Sequence, residues 1–382
     1  MKKIDENTEL TKQEIRELFK WIALESSCDE KAANGIPMAA IYQTCFEFFD
    51  ALIRIEEFVT KVLSSDDPGF VKQNRLLGRG DLRIAKENIK RLPLADYFPH
   101  VIPFFQNYSP EYRYSHAVEL FFKCCFKLEL GKEWFSNPKD YTTTRGDKPK
   151  TQLELFHDLI DLIRTESRSA EFDGKIRRRE HSAARNYESA VSFVTELFSK
   201  RQLVLRVDLY YISEYAISTS AEDAKADLAH FLYTFRHNKG LTKYLNAYLW
   251  KLEFGHLKGM HIHMLFFYDG ANVKDDEYLA NRIGTFWKDV ITNGRGRFYN
   301  GNTAEHKAEY AKVGWQGIGM IYPIDEDPDK DTSKTTRDIL TNIILKYLLK
   351  ADQYLLATKL DNIKGRIYGK GYGPDRRGRK KA

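Results

Sequence analysis

One stretch, Leu249–Asp269 with the sequence LWKLEFGHLKGMHIHMLFFYD, constrains the fold of this chain more than any other segment. Its two β-prone apolar runs are separated by five residues that begin with Gly255 and end with Gly259, which is the pattern of a β-hairpin. Successive side chains of a strand point to opposite faces, so His261 and His263 share one face of the second predicted strand. The stretch therefore predicts a hairpin that presents two imidazoles side by side.

A carboxylate accompanies these imidazoles. Glu253 lies on the first predicted strand, and with His261 and His263 it offers the mixture of nitrogen and oxygen donors that a divalent cation accepts. The place of Glu253 depends on the hairpin register, and His256 in the turn is the alternative third ligand. The other interpretation of the motif is a pair of surface histidines without a metal.

The composition indicates an ordered protein that is long enough for two domains. Of its 382 residues, 42% are hydrophobic and 13% are aromatic. No apolar run approaches the ~20 residues of a membrane span, and the N-terminus lacks the apolar core of a signal peptide. We therefore expect a cytoplasmic protein without a membrane partner, and the four cysteines, which lack zinc-ligand spacing, are expected to be reduced core thiols.

Hydrophobic periodicity divides the chain into a helical half and a mixed half. Residues 1–168 carry apolar residues at helical spacing, as in Met38–Ser64, and predict an all-helical N-terminal domain to which we assign no chemistry. A polar segment at 169–176 is the expected linker. Residues 177–363 form the second predicted domain, and residues 364–382 form a basic tail rich in glycine and arginine.

Strands and helices alternate in the second predicted domain. Strands are expected at Gln202–Tyr211, in the hairpin and at Gly317–Pro323, and helices at Ala221–Asn238, Asp276–Ile291 and Thr336–Leu356. A glycine-rich loop, NGRGRFYNGN, is expected after the second of these helices. The order predicts an α+β fold in which an antiparallel sheet carries helices on one face.

A second motif lies on the last predicted helix, where Tyr347 and Lys350 are three residues apart and share a face. A tyrosine phenol has a pKa near ~10 and is a weak nucleophile, but a metal that polarises a phosphodiester would allow it to attack phosphorus. The lysine would stabilise the charge that develops. Tyr354 is a rival nucleophile on nearly the same face. The non-catalytic alternative is that Tyr347 packs in the core.

Basic residues are concentrated at the C-terminus. The net charge is +6, and the tail contributes +7 from eight basic residues and one acid, Asp375, so the rest of the chain sums to about −1. The tail is either a solvated arm or a phosphate-binding one. The candidate phosphate contacts, each of which has a solvated surface position as its alternative, are Arg177, Arg178, Arg179, Arg295, Arg297, Arg376, Arg377 and Arg379.

Together these motifs resemble the HUH superfamily of single-strand endonucleases, which includes rolling-circle replication initiators, relaxases and related transposases. The segments VLRVDLYY, GMHIHMLFF, KYLLKADQY and GRIYGKGYGP are similar, more narrowly, to the inovirus-type replication proteins of filamentous phages, the YagK/YfjJ C-terminal domain family. The resemblance covers about Arg177 to Pro374. It implies an HUH endonuclease domain with an antiparallel sheet of the RRM or ferredoxin-like type.

The resemblance implies a role for each motif. His261 and His263 would bind Mg²⁺ or Mn²⁺ with Glu253 completing the ligand set, and Tyr347, assisted by Lys350, would cut one DNA strand. The tyrosine would keep the 5′ phosphate in a covalent link, and the free 3′ hydroxyl would prime rolling-circle replication. The implied partners are single-stranded or supercoiled origin DNA and the host helicase and polymerase, with no small-molecule cofactor.

Two other classes of function are compatible with the sequence. The first is a DNA-binding regulator of a mobile element, which would keep the fold without nicking. The second is a metal-dependent phosphodiesterase in which Tyr347 only packs. A covalent protein–DNA adduct distinguishes the nickase from both of these classes.

Overall fold

The fold is known from a computed structural model that describes residues 38–77, 84–130, 135–141, 149–216, 218–255, 258–312, 318–327, 335–351, 355–361 and 365–374. The described residues belong to two compact units. One unit contains Gln43–Glu180, and the other contains the described residues of His181–Ala382. The chain combines α-helices with antiparallel β-sheets, in agreement with an α+β class.

An aromatic core organises the first unit. Phe156 lies at its centre, with its ring centroid 6.0 Å from that of Phe58 and 5.5 Å from that of Phe98. The apolar helical stripes of the sequence are therefore packing surfaces. The elements of this part of the chain are the helices α1 (Met38–Ser64), α2 (Val101–Phe105), α3 (His116–Lys127) and α4 (Gln152–Glu166), a 3-10 helix at Pro93–His100, and the strands β1 (Phe70–Leu77), β2 (Ile84–Arg91) and β3 (Tyr112–Tyr114).

The expectation of an all-helical N-terminal domain is wrong. β1 and β2 form an antiparallel hairpin in which Phe70 stands opposite Arg91. Their sequences, FVKQNRLL and IAKENIKR, contain more lysine, glutamine, asparagine and glutamate than β-branched residues. The β-propensity of these residues therefore does not predict strands. The pairing of the two segments with each other determines their extended conformation.

Except for Ser169, the expected linker 169–176 is helical. It lies in the helix α5, which extends over Ala170–Thr195. Alanine, glutamate, lysine and arginine are frequent in this helix, and they have high helix propensity whether or not they are polar. A single residue, Gly174, costs only about 1 kcal/mol and does not end a long helix.

A single antiparallel sheet with flanking helices forms the second unit. The strands of this sheet are β4 (Gln202–Tyr211), β5 (Leu245–Gly255), β6 (Gly259–Asp269), β7 (Gly296–Asn300), β8 (Met320–Ile321) and β10 (Tyr368–Tyr372), and the short strand β9 (Leu355–Ala357) lies outside it. In the sheet the order is β10-β5-β6-β4-β7, with β8 paired to the start of β4. The helices are α6 (Ser213–Ala216), α7 (Ala221–His237), α8 (Lys239–Thr242), α9 (Asp276–Phe286), α10 (Ala304–Lys312), α11 (Thr336–Asp338), α12 (Leu345–Lys350) and α13 (Thr358–Asp361).

Helices cover both faces of this sheet, whereas the sequence predicted helices on one face. On one face, the ring of Phe231 in α7 is 6.4 Å from that of Phe266 in β6. On the opposite face, the ring of Phe193 in α5 is 5.0 Å from that of Tyr372 in β10. Every residue of β4 is buried. The nearly continuous apolar sequence of this strand, in place of an alternating one, was the sign of two covered faces.

Two glycine-rich stretches that were expected to be irregular form strands. β7 lies inside the predicted loop NGRGRFYNGN, and β10 lies inside the predicted tail 364–382. In β10, Gly369 stands opposite Trp250 and Gly371 stands opposite Tyr248. A Cβ at either glycine would come within 2.5 Å of the aromatic side chain that it faces. These glycines make room for rings and do not indicate a flexible tail.

π-Helical turns extend or interrupt the helices of this unit. One such turn, Trp287–Ile291, continues α9 to the predicted end of that helix, and another, Ile339–Ile344, separates α11 from α12. The last helix ends before the predicted Leu356, because Leu355–Ala357 is strand β9. Among the described residues, no helix is long and apolar enough to cross a bilayer. Cys124 and Cys125 are buried free thiols, as the sequence predicts for core cysteines.

A glycine substitution at the start of β6 tests this fold. Gly259 has a φ of 65°, and a Cβ there would lie 2.1 Å from the carbonyl oxygen of Ala216. We expect Gly259→Ala to lower the free energy of unfolding by about 3 kcal/mol, because the left-handed backbone and the steric overlap are both unfavourable. Gly294 has a φ of 84° and open space around it, so Gly294→Ala is the control and should cost about 1 kcal/mol. Urea unfolding compares the two variants, and equal losses would contradict the proposed overlap.

Candidate metal centre

The register of the central hairpin brings one carboxylate and two imidazoles together. In the pairing of β5 with β6, Glu253 stands directly opposite His261, and Lys251 stands directly opposite His263. Opposite residues of an antiparallel pair point to the same face. The ligand atoms of Glu253, His261 and His263 all lie within 4.8 Å of one another. The alternative ligand, His256, lies outside the described residues.

Hydrogen bonds fix the orientation of both imidazoles. Nδ1 of His261 is 3.1 Å from the carbonyl oxygen of Gly259, and Nδ1 of His263 is 2.9 Å from Oδ1 of Asp208. Each Nδ1–H donates away from the cluster, which leaves both Nε2 atoms directed toward Glu253. These atoms lie 3.8 Å (His261) and 3.3 Å (His263) from Oε2 of Glu253. Nε2 is therefore the nitrogen that each ring offers to a metal.

A buried arginine supports His263 from behind. Arg206 donates from Nε and Nη2 to the two oxygens of Asp208, at 3.2 and 2.8 Å. Both residues lie on β4, where Asp208 stands directly opposite His263. A bidentate pair of this kind holds a carboxylate in one orientation. The Arg206–Asp208–His263 chain is thus a carboxylate–histidine support of the type that orients metal ligands.

Mutual attraction keeps Glu253, His263 and Asp208 charged, whereas His261 stays neutral. Burial opposes the ionisation of Glu253 and of His263, but their attraction for each other, with that of Asp208, outweighs it. The pKa of His263 therefore rises to about 10, and that of Glu253 falls to about 2. Burial alone would raise the pKa of Asp208, yet Arg206 and His263 hold it well below its ordinary value. Burial and the charge on His263 lower the pKa of His261 to about 4.

Two buried atoms of this cluster are unsatisfied. Among the described residues, Oε1 of Glu253 and Nε2 of His263 have no hydrogen-bond partner, although Nε2 is 3.3 Å from the other oxygen of Glu253. A buried polar group without a partner costs about 1–3 kcal/mol, and a cation bound by both atoms would remove that cost. Two imidazole nitrogens and a carboxylate oxygen suit a divalent metal. The group Glu253, His261 and His263 could therefore hold a metal ion.

Tyr347 stands beside the cluster on α12. Its ring centroid is 6.1 Å from that of His263, with an interplanar angle of 75°. The residue is 7% exposed, so its ring is packed against the imidazole and not directed into open solvent. The tyrosine of the second sequence motif and the imidazole pair of the first are thus neighbours in space, although they are far apart in the chain.

Lys350 contacts a different aromatic ring. Its Nζ is 4.9 Å from the centroid of the Tyr187 ring in α5, and the residue is buried. Tyr187 donates from its hydroxyl to the carbonyl oxygen of Thr341 at 3.3 Å. The cation–π contact and this hydrogen bond tie α12 and the π-helical turn before it to α5. Lys350 therefore helps to hold the helix that carries Tyr347.

Two of the eight predicted phosphate contacts have side chains that the structure describes. Arg295 forms an ion pair with Asp227 at 3.2 Å. Arg297 lies on β7, with its guanidinium carbon 4.7 Å from the centroid of the Tyr210 ring. The backbone of Arg177, Arg178 and Arg179 is in α5, but their side chains lie outside the described part, as do Arg376, Arg377 and Arg379 entirely.

Sequence reasoning assigned no role in the site to Lys251 or Arg206. Lys251 is 2% exposed and stands opposite His263 on the face of the cluster. The strand pattern places Arg206 and Asp208 on one face, but it does not reveal the bidentate contact between them. A charged residue inside an otherwise apolar strand, as in LWKLEF and LVLRVD, was the available signal, because such charges are rarely buried without a partner.

Comparisons of the chain with protein-family models, with curated proteins and with solved structures find no match. No activity can therefore be transferred to it from a relative. The donors, charges and neighbours of the candidate metal centre are the basis for inferring its function.

Removal of the carboxylate behind His263 tests the centre. We expect Asp208→Asn to weaken Mn²⁺ binding about 10- to 100-fold, because a neutral amide accepts from Nδ1 of His263 more weakly than the carboxylate and no longer fixes the orientation of the ring. Titration calorimetry measures the affinity. Asp227→Asn is the matched control, since Asp227 is also paired with an arginine, Arg295, at 3.2 Å, but takes no part in the cluster. An Asp208→Asn protein that folds and binds Mn²⁺ like the wild type would contradict this role.

Proposed function

We propose that the second unit is a metal-dependent nickase of single-stranded DNA, and that the protein is a replication initiator that opens an origin for rolling-circle synthesis. The approach of the Tyr347 ring to within 6.1 Å of the His263 ring carries this proposal. A nucleophile and a group that could hold a cation are adjacent there, and phosphodiester transesterification needs both.

The residues of the cluster have separate tasks in this proposal. Glu253, His261 and His263 would hold Mg²⁺ or Mn²⁺, which supplies a Lewis acid for the scissile phosphate. Asp208 keeps the His263 ring in place through their 2.9 Å hydrogen bond. Arg206 keeps Asp208 ionised and oriented. Because these groups are shielded from bulk water, their electrostatic interactions are stronger than they would be at the surface.

Tyr347 would act as the nucleophile. Its phenol oxygen forms a bond to phosphorus and loses its proton, while the bond from phosphorus to the 3′ oxygen breaks and that oxygen takes up a proton. One phosphoester bond replaces another, so the 5′-phosphotyrosine link can later be reversed by a 3′ hydroxyl. Lys350 positions α12 through its contact with Tyr187 and adds positive charge near the transferred phosphate.

The exposure of the ligands favours access for the DNA strand from the side of Glu253. The Glu253 side chain is 18% exposed, whereas those of His261 and His263 are 7% and 2% exposed. The π-helical turn Ile339–Ile344, which precedes the helix of Tyr347, is a geometry that is common at functional sites. A change in this turn would allow the phenol to reach a phosphate at the cluster.

We also propose a fold family and a cellular setting for the protein. An antiparallel sheet with a His-x-His pair on a central strand supports an HUH endonuclease domain that is similar to the inovirus-type replication proteins. In that role the protein works in the cytoplasm on single-stranded or supercoiled origin DNA, together with host helicase and polymerase. The clustered arginines, Arg177–Arg179 and those of the C-terminus, would add affinity for phosphate without sequence preference.

A metal-dependent phosphodiesterase is the second candidate function. The burial of Tyr347, at 7% exposure, favours it. In this case water attacks phosphorus, the phenol only packs against His263, and no covalent intermediate forms. Whether Tyr347 becomes covalently linked to DNA therefore distinguishes the nickase from the phosphodiesterase.

Substitution of the tyrosine provides the test. With single-stranded DNA and Mn²⁺, we expect the wild-type protein to form a covalent adduct that survives denaturation in detergent, and Tyr347→Phe to form none because the attacking oxygen is absent. His261→Ala should also be defective, since a metal ligand is lost. Tyr354→Phe is the control and should retain the adduct. Gel electrophoresis of labelled DNA provides the measurement. DNA cleavage by Tyr347→Phe without an adduct would favour the phosphodiesterase.

A further inference from the structure

We propose that the sheet edge beside the metal centre is a track for single-stranded DNA, in which Arg297 takes a backbone phosphate and the paired rings of Tyr299 and His306 take a base. This inference rests on the nickase function, and it identifies the surface along which the substrate strand approaches Tyr347. We call the surface formed by Tyr210, Arg297, Tyr299 and His306 the edge track.

The strand register places the edge track on the same face as the metal centre. Asp208 of β4 stands opposite His263 on one side and opposite Tyr299 of β7 on the other. Tyr210, two residues along β4, stands opposite Arg297. Two strand spacings separate β7 from β6, so the backbone of Tyr299 is about 10 Å from that of His263. A strand bound at the cluster can therefore continue onto β7, which is the end strand of this sheet order.

Arg297 has a positive charge that could attract a phosphate. Its Nε is buried without a hydrogen-bond partner, and in the described part of the chain the guanidinium has no carboxylate within ion-pair distance. Its guanidinium carbon lies 4.7 Å from the centroid of the Tyr210 ring. Arg206 and Arg295, by contrast, are neutralised by Asp208 and Asp227. A guanidinium that no carboxylate neutralises and that lies over a ring is suited to a bidentate phosphate contact.

An aromatic pair adjoins this guanidinium. The rings of Tyr299 and His306 have centroids 4.1 Å apart and an interplanar angle of 36°. His306 is held by its Nδ1, which is 2.8 Å from the carbonyl oxygen of Asn300. Both residues are partly exposed, so a base can extend the stack. Positive charge beside half-exposed aromatic rings is the combination that binds single-stranded nucleic acid without sequence preference.

Binding of a fluorescein-labelled oligothymidylate to the full-length protein in EDTA tests the edge track without any strand cleavage. Anisotropy over a series of NaCl concentrations gives the affinity and its salt slope. We expect Arg297→Gln to weaken binding and to reduce the slope of log K against log salt by about 0.7, the value for one phosphate contact to a single strand. Arg297→Lys should keep the slope. A purely structural role for Arg297 in covering Tyr210 would leave the slope unchanged.

Two further variants complete the experiment. Tyr299→Leu should weaken binding about tenfold without changing the salt slope, and Tyr299→Phe should not weaken it, because the ring and not the hydroxyl stacks with a base. Arg282→Gln is the matched control, since Arg282 also covers a tyrosine, Tyr278, at 5.8 Å, but lies on α9. An Arg297→Gln protein with the wild-type slope would overturn the inference.

The outcomes separate this inference from the nickase function. An unchanged salt slope in Arg297→Gln, together with a normal covalent adduct in the wild type, would reject the edge track and leave the nickase intact. If the salt slope of binding falls in Arg297→Gln but the wild type forms no covalent adduct in Mn²⁺, the edge track is supported and the nickase function is rejected. Duplex DNA of the same length should bind more weakly than the oligothymidylate, and equal binding would also reject the edge track.

Discussion

The register of β5 against β6 is the constraint on which the candidate site depends. Glu253 faces His261 because Gly255 pairs with Gly259 at the end of the hairpin. A shift by one residue would turn the carboxylate to the opposite face, where helices such as α7 pack. Gly259 can keep this register because it tolerates a φ of 65° and a close approach to the carbonyl of Ala216. The geometry of the candidate metal centre thus depends on the backbone conformation of Gly259.

Charge is the second constraint, because this register places several ionisable groups in a buried sheet. Arg206, Asp208, His263 and Glu253 form an alternating series of positive and negative groups across three strands. Each member offsets the cost of burying its neighbour, and loss of one leaves an uncompensated charge. The series ends at Oε1 of Glu253, which has no hydrogen-bond partner within the described part of the chain. A divalent cation bound there would replace the proton on Nε2 of His263 as the positive neighbour of Glu253. The phenol of Tyr347 lies on the adjacent helix.

Local patterns predicted the strands of the site, because both of its motifs lie within single elements. The spacing of His261 and His263 determines their common face, and the bounds of β4 follow from one apolar run. The contacts between elements could not be predicted in this way. The contact between Lys350 and Tyr187 joins residues that are far apart in the chain, and hydrophobic periodicity carries no information about such contacts. Arg297 was expected in a loop because glycines surround it, but pairing with β4 makes the segment a strand.

The most direct test of the central claim is diffraction from crystals soaked in Mn²⁺, recorded at a wavelength where manganese scatters anomalously. The account predicts one anomalous peak that is in contact with Nε2 of His261, Nε2 of His263 and a carboxylate oxygen of Glu253, beside the ring of Tyr347. A fully soaked crystal with manganese bound only elsewhere, and with Nε2 of His263 still facing Oε2 of Glu253 at about 3.3 Å, would contradict the account.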